Sequence, residues 1–172
     1  GSSYLPCGLI GAETAPPYKR PLLSKGLWQG KPLQKAWINL DDLGVELLLG
    51  RTAQALDARR KQLTDDQGGI FTFDKLLLAT GVTPRHFGGR PPGSDDRIIY
   101  FRTLGDYQRL RTLTEHGQRF AVIGGGFIGS EIAAALATNQ KDVVMLFPDA
   151  GIGVRLFGAD LALFLNGYYR DR

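Results

Sequence analysis

Residues 120–136 read Phe-Ala-Val-Ile-Gly-Gly-Gly-Phe-Ile-Gly-Ser-Glu-Ile-Ala-Ala-Ala-Leu, and this stretch decides the fold. Its first four residues are apolar and predict a buried parallel strand. Apolar side chains then recur on one face of a predicted helix. Between them, Gly124, Gly126 and Gly129 match the pattern G-x-G-x-x-G. In that pattern the first glycine permits a tight turn, the second lets a pyrophosphate approach the backbone, and the third lets helix pack on strand. The free amide groups at the start of the helix then face the phosphates.

The glycine pattern alone also fits a glycine-rich turn in any α/β protein. Its place between a predicted strand and a predicted helix favours a dinucleotide site. A second strand is predicted at residues 143–147, and Asp149 follows where a carboxylate that reaches a ribose hydroxyl is expected. Asp149 favours NADH over NADPH because it would repel a 2′-phosphate, whereas Arg155 leaves NADPH open. Phe127 and Ile128, directly after the second glycine, are assigned to the same cofactor site.

Composition excludes several classes of protein. The 172 residues, of which 43% are hydrophobic and 22% charged, fit one globular domain or two small ones. The net charge of +4 is spread along the chain and indicates no nucleic-acid surface. The single cysteine, Cys7, excludes a disulfide framework and a C-x-x-C redox pair. No apolar run has the length of a membrane span, and no metal-ligand cluster is visible. We therefore expect a cytoplasmic protein without a metal site.

The rest of the chain predicts alternating strands and helices. Trp28 and the apolar cluster around Leu77 are expected in the core. The first part of the chain predicts a strand at 8–13, a helix that starts at Pro21, a second helix at 34–43, and buried strands at 45–49 and 75–80. A small antiparallel meander is predicted at 51–73, a strand at 97–100, and helices at 104–116 and 159–169.

Four segments in a fixed order resemble one protein family. They are residues 17–28 (Pro-Tyr-Lys-Arg-Pro-Leu-Leu-Ser-Lys-Gly-Leu-Trp), 77–85 (Leu-Leu-Ala-Thr-Gly-Val-Thr-Pro-Arg), 101–107 and 146–149. They are similar to segments of FAD-dependent pyridine-nucleotide oxidoreductases, in the branch of ferredoxin and rubredoxin reductases and apoptosis-inducing-factor-like flavoproteins. The resemblance implies an α/β, Rossmann-like three-layer FAD/NAD(P)-binding fold. Residues 1–101 would form a partial FAD-binding domain with the meander, and residues 102–172 a partial NAD(P)-binding βαβ domain.

The resemblance also implies roles for individual residues. Lys25 and Glu131 match a catalytic pair of lysine and acid beside the flavin. A cation there would stabilise a reduced, anionic flavin ring. The positions that match cofactor-binding residues are Glu13 at the adenosine ribose of FAD, Arg20 and Lys25 at the flavin and its phosphates, Ala53 at the adenine, Thr80 and Gly81 at a close turn, Arg85 after it, and Gly124, Gly126, Phe127, Ile128, Gly129 and Asp149 at NAD(H).

The implied activity is hydride transfer from NAD(P)H to FAD, followed by electron transfer to an acceptor such as ferredoxin, rubredoxin or a quinone. The family's first G-x-G-x-x-G is not found in residues 1–8. We therefore interpret the chain as a piece of a larger flavoprotein and expect it to hold FAD poorly and to be inactive alone. The alternative is a non-catalytic NAD-binding or interaction module of an apoptosis-inducing-factor-like flavoprotein. Without their sequence context, Arg20, Lys25 and Arg85 would pass for ordinary surface charges.

Overall fold

The computed structural model describes residues 7–86, 88 and 97–171. These residues form two compact units that interleave along the chain. The first unit contains residues 7–19 and 36–83, and the second contains residues 20–35 together with the described residues from 84 onward. No helix in the described ranges has both the length and the apolar character needed to cross a membrane.

The first unit is built from two small sheets. Strands β1 (Cys7–Gly11) and β2 (Val45–Leu49) pair in parallel. Strands β3 (Ala53–Asp57), β4 (Gln62–Asp65) and β5 (Ile70–Thr72) form an antiparallel meander. The strand near residue 8, the strand at 45–49 and the meander are therefore confirmed.

Asp65 holds the turn between β4 and β5 together. Its side chain is fully buried, and its Oδ2 accepts a hydrogen bond of 2.7 Å from the Arg51 guanidinium. Its Oδ1 accepts from the backbone N–H groups of Gly69 at 2.6 Å and Gln67 at 3.0 Å. The hydrogen bond from Arg51 and those from the backbone hold the pKa of Asp65 below its usual 3.8, although burial opposes them. Asp65 is thus a charged anchor inside the meander.

The second unit contains the element order predicted around the glycine pattern. Helix α1 (Leu104–His116) precedes strand β6 (Arg119–Ile123), helix α2 (Phe127–Thr138), strand β7 (Asp142–Leu146) and helix α3 (Ala159–Arg170). Strands β6 and β7 are parallel, as expected when a helix makes the crossover. The sequence predicted all five of these elements, and they are confirmed.

The core of the second unit includes a residue from much earlier in the sequence. Trp28 is 5% exposed and packs with the buried residues Leu110, Ile132, Ala135 and Leu136. Two short 3₁₀ helices, Arg20–Ser24 and Gly26–Gln29, position this indole. The compact units therefore do not divide at residue 101. The boundary predicted at residue 101 separates an FAD-binding from an NAD(P)-binding part. It is a functional boundary and stays a prediction.

The helix predicted at 34–43 is wrong. Only 3₁₀ turns form there, at Leu33–Ala36 and Asp41–Leu43. Trp37 makes a β-bridge with Tyr18, and the Ile38 N–H donates to the Pro17 carbonyl at 2.9 Å. Pairing with this distant segment uses the backbone groups that a helix would have needed.

The predicted strands at 75–80 and 97–100 are also wrong. Neither segment is paired with another strand in the described part of the chain. A strand needs a neighbour for its backbone hydrogen bonds, and an apolar run alone does not supply one. Leu77 is 86% exposed, so the prediction that it lies in the core is wrong, whereas that for Trp28 is confirmed.

Candidate functional site

The glycine turn connects β6 to α2 beside the end of β7. Gly124 has φ +124°, a conformation that favours glycine, and its N–H donates to the Leu146 carbonyl at 2.8 Å. Gly126 is the N-cap of α2, and among the described residues no side chain donates or accepts a capping hydrogen bond there. The amide groups of the first helical turn therefore have no partner within the helix and no side-chain cap.

Two glycines of the pattern have different surroundings. A Cβ atom added to Gly129 would lie 2.0 Å from the carbonyl oxygen of Gly124, so α2 packs directly on the backbone of the turn. A Cβ atom added to Gly126 would meet no atom of the described residues within 4 Å. This is the division expected of a dinucleotide site, in which the third glycine serves packing and the second leaves room for pyrophosphate.

The loop after β7 folds back over this turn. The Gly153 N–H donates to the Gly125 carbonyl at 2.7 Å. The rings of Phe127 and Phe157 meet edge to face, with centroids 5.8 Å apart. Together with α3 the loop borders a cleft of about 250 Å³ at the start of α2. Tyr169 also lines this cleft, and burial raises the pKa of its hydroxyl.

Asp149 and Arg155 form an ion pair in the same loop. The Nε and Nη2 atoms of Arg155 donate to Oδ1 of Asp149 at 3.1 and 3.0 Å. Asp149 is 31% exposed and Arg155 is 76% exposed. Asp149 thus lies three residues beyond β7, where the sequence predicted a ribose-binding carboxylate.

Lys25 and Glu131 are brought together, which confirms the predicted pairing. Lys25 Nζ lies 3.0 Å from Glu131 Oε1, and the two side chains are 54% and 26% exposed. The hydroxyl of Ser24, a residue that is 8% exposed, donates to Glu131 Oε2 at 2.6 Å. Each carboxylate oxygen of Glu131 therefore has one partner, and the two partners, Ser24 and Lys25, are neighbours in the sequence. Both partners belong to the second compact unit.

The predicted FAD residues of the first unit lie on three segments. Glu13 follows β1 and accepts a hydrogen bond from the Tyr18 hydroxyl. Ala53 is the first residue of β3. Thr80 and Gly81 lie on an exposed segment that is not a strand, and Gly81 has φ +69°, which glycine adopts without strain. Their roles at FAD stay predictions.

The other predicted FAD residues, Arg20, Lys25 and Arg85, belong to the second unit. The Arg20 guanidinium donates to the Arg102 carbonyl at 2.9 Å, which fixes it beside the start of α1. Arg85 is exposed. In residues 7–86, 88 and 97–171, no three His, Cys, Asp or Glu side chains are grouped in a way that could hold a metal ion.

Ser24 is the residue that sequence reasoning missed. It is next to Lys25 in the sequence, but nothing in the pattern indicates that its hydroxyl reaches Glu131, which is 107 positions away. The hydrogen bond between Ser24 and Glu131 depends on how the 3₁₀ helix Arg20–Ser24 packs on α2.

Comparison with known proteins identifies the family of this chain. The sequence pattern of the family described as "Pyridine nucleotide-disulphide oxidoreductase" matches residues 3–172. The chain belongs to this family. As a member of the pyridine nucleotide-disulphide oxidoreductases, it has the FAD/NAD(P)-binding Rossmann-like fold that the resemblance implied.

Relatives within the family include monodehydroascorbate reductase 4 of Arabidopsis thaliana, a peroxisomal protein by name, with 35% identity over 95% of this chain and 38% of its own length. A second is the 5,5′-dehydrodivanillate O-demethylase ferredoxin reductase subunit of a Sphingobium strain, with 33% identity over 95% of this chain and 40% of its own length. Among solved structures, a covalent complex of putidaredoxin reductase with putidaredoxin matches with a TM-score of 0.87 and 29% identity, over 95% of this chain and 41% of that one. This family member therefore spans about two fifths of each of these relatives.

Proposed function

We propose that this chain supplies the NAD(H) site and part of the FAD site of an FAD-dependent NAD(P)H oxidoreductase. The observation that carries the proposal is the glycine turn, in which Gly129 packs on the Gly124 carbonyl and Gly126 faces open space. When bound, the two cofactors supply the hydride and electron chemistry, and the protein supplies binding, orientation and electrostatics.

The start of α2 fits the pyrophosphate of a dinucleotide. The backbone N–H groups after Gly126, those of Phe127 and Ile128 among them, would donate to the phosphate oxygens at the positive end of the helix dipole. Asp149 would accept a hydrogen bond from a ribose hydroxyl. The open space at Gly126 is what lets the phosphates approach the backbone.

The pair of Lys25 and Glu131 would hold a positive charge at the flavin. Glu131 orients the ammonium group through the 3.0 Å contact, and Ser24 fixes the second oxygen of that carboxylate. Lys25 remains half exposed, so its Nζ can still donate to a cofactor atom. The remaining FAD contacts would come from Glu13, Arg20, Ala53, Thr80, Gly81 and Arg85.

We propose a one-electron acceptor for the whole protein. These 172 residues hold one cysteine, the exposed Cys7, and therefore no redox pair of cysteines within this part of it. The names of the relatives give two candidates, a ferredoxin and monodehydroascorbate. A small electron-transfer protein is favoured by the match to the putidaredoxin reductase complex. The cytoplasmic location stays a prediction, since the Arabidopsis relative is named peroxisomal.

The test uses the longest natural protein that contains this chain, purified without added flavin. We expect flavin absorbance in that protein, saturable NADH binding, and NADH oxidation that depends on a ferredoxin, a quinone or monodehydroascorbate. Gly126→Ala is expected to weaken NADH binding while the protein stays folded, with a small decrease in melting temperature because alanine is a poorer N-cap than glycine. A folded protein without NADH binding would refute the proposal. NADH binding without flavin absorbance would refute the oxidoreductase and favour the alternative, a non-catalytic NAD-binding module.

A further inference from the structure

Helix α3 holds the loop that covers the glycine turn through one amide side chain, that of Asn166. Its Oδ1 accepts a hydrogen bond from the Ile152 N–H at 3.0 Å, and its Nδ2 donates to the Ala150 carbonyl at 3.1 Å. An amide carries an acceptor and a donor group side by side, so asparagine can bind a backbone N–H and a backbone carbonyl at once. Asn166 therefore fixes two backbone groups of the loop.

The segment held by Asn166 is tightly packed against α3. A Cβ atom added to Gly151 would lie 2.9 Å from the Cβ atom of Ala162, a residue that is 1% exposed. Ile152 is itself only 4% exposed. Closely packed groups transmit a displacement to their neighbours, because no void absorbs it. A change at Asn166 should therefore shift the backbone of residues 150–153.

The last residue of this segment, Gly153, contacts the glycine turn. Its N–H donates to the Gly125 carbonyl at 2.7 Å. The peptide unit between Gly125 and Gly126 is planar and trans, so the direction of its carbonyl sets the opposite direction of its N–H. Within residues 7–86, 88 and 97–171 the Gly126 N–H makes no hydrogen bond, and the space beside Gly126 is open. The loop therefore orients an amide group that is available to a ligand.

We propose that Asn166 is a positioning residue of the dinucleotide site. Asn166 holds the loop, and the loop fixes the peptide unit between Gly125 and Gly126. The Gly126 N–H then donates to a pyrophosphate oxygen together with the first amide groups of α2. Asn166 acts through the loop backbone rather than by contact with the coenzyme. The inference rests on the proposed dinucleotide site at the start of α2.

Two substitutions test the need for an amide at this position. Asn166→Asp keeps the shape of the side chain and the acceptor for the Ile152 N–H, but it places a carboxylate oxygen against the Ala150 carbonyl. Two acceptors that face each other repel, so the loop has to move away from α3. Asn166→Ala removes both hydrogen bonds and leaves the two backbone groups without this partner.

The experiment measures dissociation constants for the wild type and both Asn166 variants of the longest natural protein that contains this chain. The ligands are NAD⁺ and ADP-ribose, neither of which can reduce a bound flavin. We expect each variant to bind both ligands about tenfold more weakly, which corresponds to one misaligned charge-assisted hydrogen bond. Circular dichroism checks that each variant is folded.

The matched control is Asn139→Ala. The Asn139 amide also makes two hydrogen bonds to the backbone, with the carbonyls of Ala135 at 2.8 Å and Trp28 at 3.3 Å. It lies at the other end of α2, directly after the helix. Asn139→Ala should therefore lower the melting temperature as Asn166→Ala does, while NAD⁺ and ADP-ribose bind within about twofold of the wild type.

A second readout distinguishes positioning from a general loss of structure. AMP carries a single phosphate and has no second ribose that holds it in place, so it can follow a displaced amide group. Its dissociation constant should therefore rise by less than about threefold in both Asn166 variants, while that of ADP-ribose rises about tenfold.

The possible failures are distinguishable. If the wild type binds ADP-ribose and both Asn166 variants bind it within about twofold of the wild type, the role of Asn166 is refuted and the dinucleotide site stands. The role is refuted as well if AMP and ADP-ribose weaken in equal proportion, or if neither variant folds, because Asn166 then serves the fold alone. If only Asn166→Ala fails to fold, the result for Asn166→Asp decides. If the folded wild type binds none of these nucleotides and no NADH, the proposed function fails and the inference fails with it.

Discussion

Adding one methyl group at Gly129 should damage both the fold and the nucleotide site. A Cβ atom there would lie 2.0 Å from the Gly124 oxygen, and contacts under 3.0 Å do not occur in folded proteins. The helix or the turn must therefore move by about 1 Å. Overpacking of this kind costs about 1–3 kcal/mol. The clash is with a backbone oxygen, which places the cost near the upper end of that range, about 3 kcal/mol. The higher helix propensity of alanine returns about 1 kcal/mol, so Gly129→Ala should lower the free energy of unfolding by about 2 kcal/mol.

The same displacement should weaken NADH binding. The amide groups at the start of α2 have to point at phosphate oxygens, and each charge-assisted hydrogen bond that is lost costs about 1.5–3 kcal/mol. Loss of one such bond corresponds to a decrease in affinity of about tenfold or more. Urea unfolding followed by circular dichroism gives the stability, and a fluorescence titration with NADH gives the affinity.

Two matched glycine variants separate packing from ligand contact. Gly126→Ala places its methyl group where no atom of the part of the chain that the structure describes lies within 4 Å, and Gly126 has φ −84°, which alanine also adopts. It should lose NADH affinity with a loss of stability below about 1 kcal/mol, which reflects only that alanine is a poorer N-cap than glycine. Gly167→Ala lies in the exposed face of α3 with no atom within 4 Å, and it should gain up to about 1 kcal/mol without any effect on NADH. A Gly129→Ala variant as stable as the wild type, with the same NADH affinity, would refute the reasoning.

Two other predictions concern charged side chains. Asp65→Asn should lower the melting temperature at pH 7, because the Arg51 guanidinium then loses its charged partner. The pKa of Asp65 is lowered in the folded state, so its stabilisation is complete well above pH 3.8 and is lost as the pH falls through the folded value. The difference from the wild type should therefore shrink below pH 3.8, and thermal melts over a pH series measure it; a constant difference would contradict the assignment. The pair of Lys25 and Glu131 should contribute less than about 1 kcal/mol to stability, since Lys25 is half exposed. A double-mutant cycle with Lys25→Met and Glu131→Gln measures this, and a coupling above about 2 kcal/mol would show that the pair has a structural role instead.

The sequence predicted the second half of the chain well because the signals there are local. Thr103 is the N-cap of helix α1, and its side chain accepts from the Asp106 N–H while the Asp106 carboxylate accepts from the Thr103 N–H. Such a capping box is encoded within four residues. The glycine turn is equally local, since the steric demands at Gly124 and Gly129 arise from neighbours in the same β-turn-α unit. The family resemblance added the pairing of Lys25 with Glu131, which no spacing rule would have given.

The first half was predicted less well because its elements depend on distant partners. Residues 34–43 have the composition of a helix, yet Trp37 and Ile38 pair with the segment around Tyr18. Residues 75–80 have the composition of a buried strand, yet they are exposed and unpaired within the described residues, because an apolar run does not specify a neighbour.

By itself, the sequence determined the βαβ unit, the glycine turn at its centre and the family to which the chain belongs. These follow from the periodicity of apolar residues, from the steric demands of the glycines and from motifs in a fixed order. Each of these signals lies within a short contiguous segment. Tertiary structure alone decided that Trp28 packs in the core of the second unit, that Ser24 donates a hydrogen bond to Glu131, and that Arg155 forms an ion pair with Asp149. Each of these depends on which side chains meet after the chain has folded, and that is set by packing rather than by spacing along the sequence.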